Sequence, residues 1–121
     1  MKPAPKRILV VVAQPGEHAY GLSVDGSLEA LQTLVGGGYL EALAGDLAGL
    51  EDDLHLYVNE NGKARAMAHN LALATPYAPD FVCGPIVVSK ADDEGDEVGL
   101  SPDEAERARL RLDSVRGLGR V

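Results

Sequence analysis

Tyr39 and Glu41 stand two residues apart in G-G-G-Y-L-E, and on an extended backbone that spacing puts a phenol and a carboxylate on one side. Together they have the chemistry to read a polar ligand. In V-N-E-N-G, Asn59 adds an amide that both donates and accepts, and Glu60 adds a second charge, at a turn where binding groups collect. Asn70 extends the polar set. Arg107 and Arg111 lie four apart in a helical pattern, so they share a face and can grip a phosphate or a carboxylate. Each group also has a plainer use: a solvated strand face for Tyr39 and Glu41, turn chemistry for Asn59 and Glu60, and acidic neighbours for the arginines.

No catalytic set assembles from the remaining residues. His18, His55 and His69 are scattered without metal-ligand spacing, and A-D-D-E-G-D-E fails the calcium-loop pattern, with Lys90 and Ser101 where oxygen ligands belong. Ser23 sits in G-L-S-V-D rather than a nucleophile elbow. Cys83, the one cysteine, reads as a small buried hydrophobe and excludes an internal disulfide. Neither metal nor cofactor is expected, and an enzyme is the weakest reading. The run Gly36-Gly37-Gly38 follows a helix rather than leading into one, and neither G-x-G-x-x-G nor a following Lys-Ser or Lys-Thr is present. A left-handed helix stop is therefore expected there, with close approach to a ligand as the alternative.

The elements that must position these groups are legible in outline. Ile8–Ala13 is a continuous apolar, β-branched run bounded by prolines, as for a strand covered on both faces; Tyr20–Val24 makes a second, short strand. Ser27 caps a helix over Leu28–Val35, with Leu28, Leu31 and Val35 on its apolar side. Strands are expected at Tyr39–Leu43 and Leu54–Val58, with a hairpin at Asn61-Gly62 returning through Ala64–Met67. His69–Thr75 has helical character, with Asn70 as its cap and Pro76 and Pro79 as its end. Phe81–Val88 reads as a strand interrupted at Gly84-Pro85 by a bulge or an edge. S-P-D-E at Ser101–Glu104 predicts a capping box, followed by a helix burying Ala105, Ala108, Leu112 and Val115, with Asp103 and Arg107 paired. The sum is one α+β domain: a mixed or mainly antiparallel sheet of five to six strands with two to three helices packed on it.

Composition bounds the function. The 121 residues suffice for one core, and hydrophobic residues make up 45% of the chain. A formal net charge of −8 and few aromatics disfavour direct binding to DNA or RNA. The N-terminal apolar run is too short for a signal peptide, and no segment reaches the roughly 20 apolar residues of a membrane span, so a cytoplasmic location is expected.

Taken in order, L-E-A-L-Q-T-L-V-G-G-G-Y-L-E, L-Y-V-N-E-N-G-K, N-L-A-L-A-T, V-C-G-P-I-V-V and G-L-S-P-D-E resemble a family of small proteins carried by bacteriophages and mobile elements and classed as a domain of unknown function. The likeness runs over residues 28–104. Members carry two glycines where this chain has three, and basic residues after the Asn where this chain has Leu71 and Ala72. The resemblance implies an α+β domain in a phage or plasmid setting and no known reaction.

Two functions are expected ahead of an enzyme. One is a non-enzymatic module in which Tyr39, Glu41, Asn59, Glu60 and Asn70 line a pocket for a nucleotide-like immune signal, with Arg107 or Arg111 neutralising its phosphates. The other is a counter-defence or regulatory factor whose acidic surface mimics nucleic acid and docks on a basic host protein. A homo-oligomer fits either.

Overall fold

The computed structural model describes residues 7–73 and 80–119. In chain order the elements are β1 (Arg7–Ala13), β2 (Tyr20–Asp25), α1 (Leu28–Leu34), β3 (Leu40–Ala44), a 3₁₀ turn (Gly45–Ala48), β4 (His55–Asn59), β5 (His69–Leu73), β6 (Asp80–Cys83), β7 (Ile86–Ser89) and α2 (Pro102–Val115). Five strands form one sheet in the order β2-β1-β7-β4-β3, and every neighbouring pair is antiparallel. β5 and β6 form a separate two-stranded antiparallel ribbon. The α+β class expected from the sequence is the class observed.

The two central strands explain the layering. Val10–Ala13 of β1 and Ile86–Ser89 of β7 are fully buried, so both faces of the sheet are covered. On one face Ile8, Val10, Val12 and Val87 pack with Leu31 and Val35 of the α1 segment. On the other, Val11, Ala13, Leu56, Val58, Ile86 and Val88 meet Ala105, Ala108 and Leu112 of α2 together with Leu71, Leu73 and Val82 of the ribbon. Burying each such valine or leucine contributes about 1.5–3 kcal/mol, which makes the two interleaved faces of β1 and β7 the main source of cohesion. The α2 start carries both halves of the expected capping box: Ser101 Oγ accepts from the Glu104 amide at 3.1 Å, and a Glu104 oxygen accepts from the Ser101 amide at 2.9 Å.

Four local expectations are corrected. His69–Leu73 is a strand, not a helix, and Asn70 is no cap; a register shift between His69 and Leu71 turns its side chain inward. Tertiary pairing with β6 overrides the weak local pattern; the expected stop at Pro76 and Pro79 lies outside the described residues. Asn61-Gly62 makes no two-residue hairpin, because neither residue has positive φ and residues 60–66 wind through successive turns instead of returning as a strand. At Gly84 (φ 96°) the apolar run does more than bulge: it leaves the ribbon as β6 and enters the main sheet as β7. Along the helices, Leu28 and Val115 are exposed rather than buried, and Arg107 pairs with Glu51 rather than Asp103.

Candidate functional site

The helix-stop question resolves in favour of carbonyl chemistry. Gly36, Gly37 and Gly38 have φ of 97°, 86° and 94°, values that a side chain would make costly. The Gly37 amide donates to Gln32 O at 2.8 Å, closing α1, so the run presents oxygens rather than amides. Those oxygens are met by donors. Asn59 Nδ2 donates to Val35 O at 3.1 Å and Gly37 O at 2.6 Å, while Arg65 donates to Gly36 O and Gly37 O. Asn59 Oδ1 in turn accepts from the Asn61 amide at 2.9 Å. At 4% exposure, Asn59 is thus a latch between β4, the end of α1 and the following turn.

Just beyond the latch, a recess of about 160 Å³ opens between the β3–β4 edge and the ribbon. Glu41 and Leu43 reach it from β3, Val58 and Asn59 from β4, Glu60 and Lys63 from the turn, and Asp80, Phe81 and Cys83 from β6. Leu43, Val58, Leu73 and Val82 supply its apolar part, and three carboxylates with one ammonium supply its rim. Lys63 Nζ lies 2.5 Å from Asp80 and 4.5 Å from the Phe81 ring centroid, and the His69 ring stacks with Phe81 at 5.5 Å between centroids. The hydrogen bond from Lys63 holds the Asp80 carboxyl below its ordinary range, helped by the Phe81 amide, and the same bond raises the lysine. Among the described residues, neither Glu41 nor Glu60 forms an ion pair. Both carboxylates are exposed at the recess, and the Glu41 charge helps to raise the nearby Lys63.

The structure therefore brings Glu41, Asn59 and Glu60 together and leaves the other expected residues elsewhere. Tyr39 is 70% exposed and does not line the recess. Asn70 is buried, with Nδ2 donating to Ala13 O and Gly84 O, both at 2.8 Å, and so ties the ribbon to β1. Arg107 and Arg111 line a different depression over Gly49–Leu54, where Arg107 pairs with Glu51 at 2.6 Å and Arg111 donates to Gly49 O at 3.0 Å. Cys83 is only half-buried and borders the recess, contrary to a core role. Lys63, Asp80 and Phe81 were missed. No local pattern marks them, because Lys63 lies in a turn and Asp80 and Phe81 reach the recess only through the pairing of β6 with β5.

Two further polar clusters are structural. His18 Nδ1 donates to Asp113 Oδ2 at 2.9 Å, and Asp113 Oδ1 accepts the Ala19 amide at 2.8 Å. Burial pushes the Asp113 carboxyl upward, but these hydrogen bonds and the nearby Arg116 charge outweigh it and hold it below the ordinary range. Arg116, its side chain 1% exposed, donates to Gln14 O at 2.5 Å, so the 14–19 turn is fastened to the end of α2. Tyr57 donates to one Glu97 oxygen, and Ser89 donates to the other at 2.9 Å. This pins the acidic loop to the sheet.

Lys90 organises the acidic end of the molecule. Its ammonium reaches Asp53 at 3.1 Å and Glu104 at 3.2 Å, joining the 51–53 turn, the 92–97 loop and the start of α2. The two carboxylates raise its pKa, the Asp53 bond most. Residues 51–53, 90–97 and 101–109 hold eleven of the nineteen acidic residues and three of the eleven basic ones. That accounts for the whole net charge of −8, and the rest of the sequence is neutral. Glu51, Asp53 and Glu104 come close enough to hold a cation, but the Lys90 ammonium already answers two of them and Arg107 the third.

Fold and recess together define a small α+β domain with one antiparallel sheet covered on both faces. A family model described as a domain of unknown function (DUF3846) matches residues 6–113, and the chain belongs to that family. No curated protein and no solved structure matches. Among the described residues no helix is long and apolar enough to cross a membrane.

Proposed function

We propose that the protein is a non-enzymatic binding module and that the recess between β3–β4 and the ribbon is its ligand site. The observation that carries this reading is a pair of exposed carboxylates, Glu41 and Glu60, that form no ion pair among the described residues and sit on the rim of a partly apolar cleft. A low-dielectric wall beside two free acceptors favours a small ligand offering N–H groups, such as a primary amine or the amino edge of a nucleobase. The phosphates of a nucleotide-like signal find less support: Arg107 and Arg111 are bound elsewhere, and Lys63 is matched by Asp80. Thermal-shift titration with putrescine, agmatine, adenosine, cytidine and their monophosphates tests it. Stabilisation by an N–H-rich member, lost in Glu41→Gln/Glu60→Gln, is expected. No shift from any compound at millimolar concentration, or an unchanged shift in the double variant, overturns it.

A second reading, in which the protein docks on a basic host protein as a nucleic-acid mimic in a phage or mobile-element setting, is favoured by the charge distribution. Three segments that carry all of the net charge, two of them joined by Lys90 through Asp53 and Glu104, offer acidic surface complementary to a basic groove. Such binding would weaken steeply between 50 and 500 mM salt and be competed by duplex DNA. Binding indifferent to both would refute it.

A further inference from the structure

The hydrogen-bond phase of the sheet can be followed strand by strand to its two outer edges. At the ends of the β3–β4 ladder, the Glu60 amide donates to Tyr39 O at 2.9 Å and the Gly45 amide donates to Leu54 O at 2.8 Å. Partners alternate along an antiparallel strand, so Tyr39, Glu41, Leu43 and Gly45 spend their backbone groups on β4. Leu40, Ala42 and Ala44 therefore turn their N–H and C=O groups outward. β3 is the last strand of the sheet on this side, and Ala42 and Ala44 are exposed. The opposite edge differs. The Leu100 amide donates to Leu9 O at 2.8 Å, which places Ile8, Val10 and Val12 of β1 toward β2 and leaves Gly21, Ser23 and Asp25 facing out. There the Arg7 guanidinium donates to Ser23 O at 2.8 Å, and a charged side chain guards the edge. β3 has no lysine, arginine or proline in L-E-A-L-A.

We infer that the β3 edge pairs with β3 of a second copy of this chain, antiparallel and centred on Ala42. That register is self-complementary. Leu40 faces Ala44 of the other copy and Ala42 faces its counterpart, and each of these pairs exchanges two hydrogen bonds through groups that have no backbone partner among the described residues. Glu41 falls opposite Leu43 rather than opposite a second Glu41, so the like charges sit only diagonally across the seam. The small alanines let the backbones approach, and Tyr39, 70% exposed in the single copy, comes opposite Gly45, which has no side chain to oppose it. An extended peptide from another protein would use the same rungs. The two-fold fit of side-chain sizes, Leu40 on Ala44 and Tyr39 on Gly45, with no two Glu41 side chains directly opposed, selects a second copy.

Sedimentation equilibrium from micromolar to several hundred micromolar protein is the test. The wild type forms dimers whose affinity rises with salt, because each copy carries a net charge of −8. Ala42→Pro removes an outward N–H without touching the β4 ladder, and it weakens the dimer by about tenfold or more while circular dichroism stays that of the fold. Ala42→Lys does the same by charge and covers the case in which proline disturbs the strand. Ser23→Pro, on the guarded edge, leaves the dimer intact. A wild type that stays monomeric throughout, or a dimer that survives both Ala42 variants, overturns the inference.

Discussion

Replacing Asn59 by alanine separates a structural latch from a ligand contact. The side chain makes three hydrogen bonds to backbone groups, two as donor to Val35 O and Gly37 O and one as acceptor from the Asn61 amide. Each contributes about 1 kcal/mol net, and in a nearly buried position the abandoned partners do not regain water freely. Asn59→Ala is therefore expected to cost about 3 kcal/mol, and for a domain of this size to lower Tm by roughly 10–15 °C. Asn59→Asp should cost more than alanine: it keeps an acceptor for Asn61 but sets a carboxylate against two carbonyl oxygens. Urea unfolding with a fixed m-value gives both numbers. If Asn59→Ala loses less than about 1 kcal/mol, or if aspartate is the milder change, the latch described for the end of α1 is wrong.

Two further outcomes follow from single side chains. Burial, reinforced by Glu97, raises the Tyr57 phenol pKa above its ordinary value, so its contribution is complete below about pH 10 and is lost as pH rises further. Stability measured by urea unfolding should fall more steeply above pH 10 in the wild type than in Tyr57→Phe, and equal slopes would contradict the raised pKa. A Cβ at Gly62 would collide with the Cys83 carbonyl oxygen, so Gly62→Ala should destabilise by ~1–3 kcal/mol and blunt any ligand-induced thermal shift. A variant with unaltered stability and binding would show that the turn does not rest on β6.

The parts of the fold written in local chemistry were legible. β1, the Ser27 and Ser101 caps and the stop at Gly36–Gly38 each rest on neighbouring residues, and each was found where expected. Elements decided by distant partners were not. H-N-L-A-L carries a weak helical pattern, and only the pairing of His69, Leu71, Ala72 and Leu73 with β6 makes it a strand. Asn61-Gly62 has the composition of a tight hairpin, but Asn59 Oδ1 captures the Asn61 amide and starts a wider turn. The site was half legible for the same reason. Glu41, Asn59 and Glu60 are near in sequence to the β3–β4 pair, whereas Lys63, Asp80 and Phe81 enter only because the ribbon folds over that pair.

The ribbon forms one wall of the recess. Among the described residues β5 and β6 pair only with each other, and they are held to the main sheet by the packing of Leu71, Leu73 and Val82, the buried amide of Asn70 and the Lys63–Asp80 ion pair. A two-stranded unit has little stability of its own, so it depends on that face. Asn70 Nδ2 bridges Ala13 O of the sheet to Gly84 O of the β6–β7 junction, while its Oδ1 is buried without a partner. The unsatisfied oxygen offsets part of what the two donated bonds contribute. A ligand entering beside Glu41 and Glu60 would meet β4, paired on both sides within the main sheet, on one side and, on the other, a separate two-stranded ribbon.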